Sequence, residues 1–81
     1  MSHWNHRVLV TQYNDDLFYT IHEVHYNDKG EPAGYTERGI AVCGESIDEL
    51  EATLGNMLQC LSRPALWGDD RFPEEFKAIT A

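Results

Sequence analysis

A chain of 81 residues has room for one modest core, because a domain of this size buries only about 60–65% of the surface its unfolded chain exposes. Its 42% hydrophobic and 25% charged content is that of a folded domain and excludes the low-hydrophobicity, high-charge signature of a disordered chain. A formal charge of -8, from 14 acidic against 6 basic side chains, repels phosphate backbones and anionic lipid, so nucleic acid and membrane surfaces are disfavoured as direct partners.

Trp4 to Tyr13, WNHRVLVTQY, carries the β-branched and aromatic residues of a strand, and Asn14 to Asp16 supplies turn chemistry. Leu17 to Tyr26, LFYTIHEVHY, is a second strand, apolar on both sides. It ends at NDKGEPAG, where Gly30 takes a positive φ readily and Pro32 lacks the amide that a central ladder needs. A hairpin then leads to a third strand, Tyr35 to Cys43, in which Gly39 marks a bulge or a close backbone approach.

The clearest local signal follows. Ser46 with Glu49 three residues on forms a capping box, and Asp48, Glu49 and Glu51 place negative charge where the helix dipole favours it. The spacing predicts a helix from about Ile47 to Leu61. Its packing face is an arc about 100° wide that holds Ile47, Leu50, Leu54, Met57, Leu58 and Leu61. Gly55 sits mid-helix at a cost of about 1 kcal/mol relative to alanine; a close helix–sheet approach, a close helix–helix approach and mere tolerance are all open. Pro64 stops the helix, and Phe72, Phe76 and Ile79 are spaced for a short C-terminal helical turn with Pro73 at its first position. The expected fold is thus α+β: one domain over 1–81, a three-stranded antiparallel sheet with the main helix packed on one face (β-β-β-α), and 64–81 as a packing tail.

The segment His22-Glu23-Val24-His25 is one residue short of the H-E-x-x-H zinc-protease motif, which also requires a helix. In a strand the two histidines point to opposite faces and cannot share an ion. A composite site with His3 or His6 from the neighbouring strand is the remaining metal reading. Cys43 and Cys60 have no Cys-x-x-Cys partner and are expected as buried thiols; Cys43 beside His22 or His25 is the arrangement a nucleophile needs. The carboxylate pairs Asp15-Asp16, Asp69-Asp70 and Glu74-Glu75 fall at turns or a helix start, where capping and solvation explain them. No phosphate-binding glycine loop or nucleophile elbow occurs. No catalytic, cofactor-binding or metal-binding residue is therefore assigned.

The run GESIDELEATLGNML resembles the helix start of the N-terminal domain of HicB-type antitoxins, with Gly44, Ser46, Glu49 and Leu50 carrying the likeness. The strand-strand-strand-helix order is similar too. A likeness spanning almost the whole chain is to small bacterial proteins of unassigned function with WNHRV, IHEV and GESIDEL at these places, and it implies no activity. The chain departs from HicB in lacking the Leu-Pro-Gly-Cys-like segment before the helix and a C-terminal DNA-binding domain, so operator binding is not implied.

The expected function is a non-catalytic protein-interaction module, not an enzyme, that associates with itself as a homodimer. Two alternatives stand beside it: an antitoxin-like inhibitor of a small basic RNase, for which the acidic charge provides steering, and a small hydrolase or metal-binding protein that uses His22 or His25 with Glu23 or Cys43. Two cysteines are too few for a disulfide framework, and no apolar leader is evident, so a cytoplasmic protein with reduced thiols and no cofactor is expected.

Overall fold

The computed structural model describes residues 3–77. Two long strands, His3–Tyr13 (β1) and Asp16–Tyr26 (β2), pair antiparallel along their full length. The two-residue loop between them places Asn14 at φ 57°, a left-handed conformation that a short polar side chain tolerates better than most. Asn27 organises the next loop: its Oδ1 accepts from the amides of Lys29 and Glu31 at 2.9 and 3.0 Å, the local side-chain bonding for which asparagine is selected in turns.

The third strand, Pro32–Tyr35 (β3), pairs antiparallel with β2. It lies earlier than the expected Tyr35 to Cys43 and is only four residues long. Pro32 is tolerated because β3 is an edge strand. Beyond Tyr35 the chain keeps only intermittent bonds to β2, from Thr36 N to the Glu23 carbonyl and from Ile40 N to the Ile21 carbonyl. Gly39 passes beside Thr20 there.

A fourth strand, Leu66–Trp67 (β4), pairs parallel with β1, giving the order β3-β2-β1-β4. The architecture is therefore α+β with a curled, mixed four-stranded sheet rather than a three-stranded antiparallel one. Two residues carry no periodicity, so β4 has no sequence signature. The expected C-terminal helical turn is replaced as well. After a turn containing the cis Phe72–Pro73 peptide, Glu75 bridges Leu66, and backbone bonds join Trp67 N to the Glu74 carbonyl and Phe76 N to the Ala65 carbonyl. Ile79 lies outside the described residues.

Alternation fixes two sheet faces. On one, Leu9, Val24, Tyr26 and Leu66 form the core, with Tyr35 and Phe72 packed against it. The Tyr26 hydroxyl donates to Asn5 Oδ1 at 2.7 Å and accepts from Arg7 Nη1 at 2.9 Å. The same guanidinium donates to the Pro64 carbonyl from Nε and Nη2, at 3.1 and 2.6 Å, and so ties the tail to the hairpin. On the other face Val10 is fully buried, and the curl brings Phe76 edge-on to Trp67 and Tyr19, at 5.0 and 5.9 Å.

The helix Ile47–Leu58 (α1) continues as a 3₁₀ turn over Gln59–Ser62. Ser46 caps it as expected, its side chain accepting from Glu49 N at 3.1 Å. Its packing differs from expectation. Met57 is the buried residue of α1 and Cys60 that of the 3₁₀ turn, which abuts β1. Leu50 and Thr53 are half-buried, whereas Ile47, Leu54, Leu58 and Leu61 are exposed. The helix thus meets the rest of the chain about a quarter turn away from its most apolar stripe.

Close approach between the tail and β1 depends on Gly68. Its amide donates to the Val10 carbonyl at 2.8 Å, and a Cβ placed there would lie 3.0 Å from Leu9 Cβ and 3.1 Å from Thr11 Oγ1. Gly68→Ala should therefore lower stability by about 1–3 kcal/mol through overpacking against a rigid strand, measured as a reduced urea midpoint with an unchanged m-value.

Candidate functional site

The two histidines of the His22-Glu23-Val24-His25 segment sit on opposite faces, as strand geometry requires. His22 is buried, with Nδ1 2.9 Å from the Thr36 carbonyl and Nε2 2.8 Å from Thr20 Oγ1. A carbonyl only accepts, so Nδ1 carries the proton and Nε2 accepts from the threonine hydroxyl in the neutral ring. Tyr35 meets the ring edge-on at 5.7 Å. Nδ1 thus ties the irregular stretch after β3 to β2, while Nε2 is satisfied within β2 itself.

His25 is exposed on the far face, with Nε2 3.8 Å from Glu23 Oε1. His6 shares that face and lies edge-on to Trp4, while His3 stacks on Tyr26 with ring centroids 5.0 Å apart. Among the described residues, no group of three or more His, Cys, Asp or Glu side chains is placed to hold a metal ion. The composite histidine site therefore does not assemble in this arrangement.

The cysteines differ from each other. Cys43, expected to be buried, is exposed in the segment leading to α1, whereas Cys60 is buried. Burial raises the Cys60 thiol above its ordinary pKa, with Arg63 opposing the shift. A thiol reagent at neutral pH should label one cysteine per folded chain, Cys43, and reach Cys60 only on unfolding; mass spectrometry of the labelled peptides checks this.

A charged cluster that the separate residues do not announce forms in the tail. Asp69 Oδ1 accepts from the Arg71 amide at 3.0 Å and from Arg71 Nε at 2.9 Å, and Oδ2 accepts from Arg71 Nη2. The same guanidinium lies over the Trp67 ring, 3.2 Å from its centroid. The Arg71 side-chain hydrogen bond chiefly lowers the Asp69 carboxyl, to about 2. Because the folded-state value is depressed from 3.8 to about 2, this contribution is present at neutral pH and is lost as pH falls through that interval. Asp69→Asn should flatten the fall of the thermal midpoint over that interval, in a melting series run from pH about 5 to about 2.

Two concavities lie on the sheet. One, of about 380 Å³, sits at the hairpin end of the core face, between Tyr13, Phe18, Thr20, His22, Tyr35 and Arg38. The other, of about 440 Å³, lies on the opposite face among Leu17, Tyr19, Trp67 and Phe76. Both are open, shallow depressions flanked by exposed side chains such as Tyr13, Leu17, Phe18 and Tyr19.

The largest chemical anomaly is α1. Ile47, Leu54, Leu58 and Leu61 are 78%, 50%, 64% and 66% exposed, and their spacing puts them on one helix face. The sequence identified these residues as a packing stripe but assigned them to the chain's own sheet.

Compared with known proteins, the chain matches no family model, no curated protein and no solved structure. The likeness to the HicB arrangement accordingly rests on the sequence, through the helix-start residues and the expected order of strands and helix. Among the described residues no helix is long and apolar enough to cross a membrane.

Proposed function

We propose that this protein is a non-catalytic interaction module that associates with itself, and that the exposed α1 stripe is its docking surface. The observation that carries the proposal is the exposure of Ile47, Leu54, Leu58 and Leu61 together on one helix face. These four side chains leave roughly 400–500 Å² of surface uncovered, within the ~300–600 Å² range of a monomer's largest apolar patch, a patch that is often functional.

Magnitude supports a second copy as the occupant. Two such patches facing each other would remove at most roughly 800–1,000 Å², the larger part of the ~1,200 Å² at which stable interfaces begin. Distribution of charge is also permissive, because the stripe itself carries no ionisable side chain.

The acidic charge favours a second reading, inhibition of a small basic protein such as an RNase, in which a -8 chain steers toward a cationic partner. The two readings separate on one sample. Sedimentation equilibrium of the purified protein at tens of micromolar should give twice the 9.3 kDa chain mass, and Leu54→Asp should give the single-chain mass with an unchanged circular dichroism spectrum. A wild-type protein that remains a single chain until a basic partner is added would replace self-association with the inhibitor reading.

A further inference from the structure

We infer that the outer edge of β2 over residues 16–20 is a second contact between copies, where two chains pair β2 to β2 and continue one sheet into the next. The starting observation is how unevenly the sheet's edges are protected. An open strand edge presents unpaired amides and carbonyls that template pairing with another chain, and proteins blunt such edges with proline, bulges, charge or cover. On β3 the edge carries Pro32, and its pairing with β2 shifts register between His25 and Tyr26. On the other side β4 is two residues long, and Glu75 bridges Leu66. The far end of β2 has no such protection. The carbonyls of Ile21 and Glu23 accept from the amides of Ile40 and Thr36, so by alternation the odd-numbered residues of β2 turn their backbone groups away from β1. Among the described residues no backbone partner reaches the next two of them, Leu17 and Tyr19. Residues 17–21, LFYTI, contain no charge and no proline and pair with β1 without a bulge, and Leu17, Phe18 and Tyr19 are exposed.

A second copy fits this edge by length and symmetry. The bond from Ile40 closes it at one end and the Asn14 turn at the other, which leaves a stretch centred on Phe18. A two-fold axis at Phe18 sets Leu17 of each copy opposite Tyr19 of the other. Both residues face outward, so each such pair exchanges both of its backbone hydrogen bonds. Phe18 then meets Phe18 of the second copy in the closer, non-hydrogen-bonded pairing, and each already has Tyr13 edge-on at 5.2 Å. Charge agrees with this register. Asp16 falls opposite Thr20 of the other copy, beside the Arg38 that lines the same depression as Phe18 and Thr20, and the two acidic turns lie at opposite ends of the contact. The edge is separate from α1, so this contact goes beyond the pairing proposed there and joins pairs into a larger assembly.

The test is amide hydrogen exchange of the full chain, read by NMR at tens of micromolar and near one millimolar, in the wild type and in Leu54→Asp. In both proteins the Leu17 and Tyr19 amides should exchange about fivefold more slowly at the higher concentration. The Phe18 and Thr20 amides face β1 and should be protected at both. Phe18→Lys should abolish the gain, because like charges then meet at the axis, and Phe18→Tyr should retain it; thermal melting at the lower concentration checks that both variants fold. Exchange of Leu17 and Tyr19 that does not change with concentration overturns the edge contact. Full protection of both amides at the lower concentration in Leu54→Asp also overturns it, because the chain's own backbone then covers the edge. None of these outcomes bears on α1, whose test remains the mass of Leu54→Asp at tens of micromolar.

Discussion

The pairing of β1 with β2 is the constraint on which the rest of the structure depends. Eleven residues of each strand are aligned by a two-residue loop, and side chains alternate between faces with a period of two. A slip by one residue would exchange the faces and expose Leu9 and Val24 in place of their neighbours. That register is what puts Leu9, Val24 and Tyr26 together, sets Arg7 beside Tyr26, and separates His22 from His25. The core, the tether to the tail and the fate of the histidine segment thus all follow from one hairpin.

Buried polar groups on that frame are used to fasten irregular chain. Tyr26, Asn5 and Arg7 form a chain of hydrogen bonds that ends on the Pro64 carbonyl. His22 does the same for Thr36, and the Tyr35 hydroxyl donates to the Gly68 carbonyl at 2.7 Å. Each bond satisfies a polar group that would be costly to bury alone, and each secures a segment that lacks a continuous ladder. With Leu9, Val10, Val24 and Cys60 as the largest fully buried side chains among the described residues, such ties matter more than they would in a larger domain. The arrangement also assigns His22 a structural task.

Tethering has a consequence for α1. The helix ends in the 3₁₀ turn, and the chain reaches Pro64 immediately after it, where Arg7 holds the carbonyl. Met57 and Cys60 are buried there, while the broader apolar stripe faces away from the sheet. A helix face that is this apolar and uncovered in its own chain is the surface on which the proposed association rests. In the proposed self-association, a second copy would supply that surface.

Local interactions made part of this protein legible without a structure. Both long strands, the Asn14 turn, the Ser46 cap and the helix start depend on residues within a few positions of one another, and the opposite-face placement of His22 and His25 depends only on the strand period. Tertiary contacts decided the rest. The two-residue β4 exists because Leu66 and Trp67 meet β1 across more than fifty residues of sequence, and the third strand moved to Pro32–Tyr35 because pairing with β2 ends where His22 takes the Thr36 carbonyl. Periodicity located the apolar stripe of α1 but contained no information on what lies opposite it. The direction in which the helix faces was set by its tether to β1, so whether that stripe packs inward or stays exposed on its own chain was a question only the tertiary structure decided.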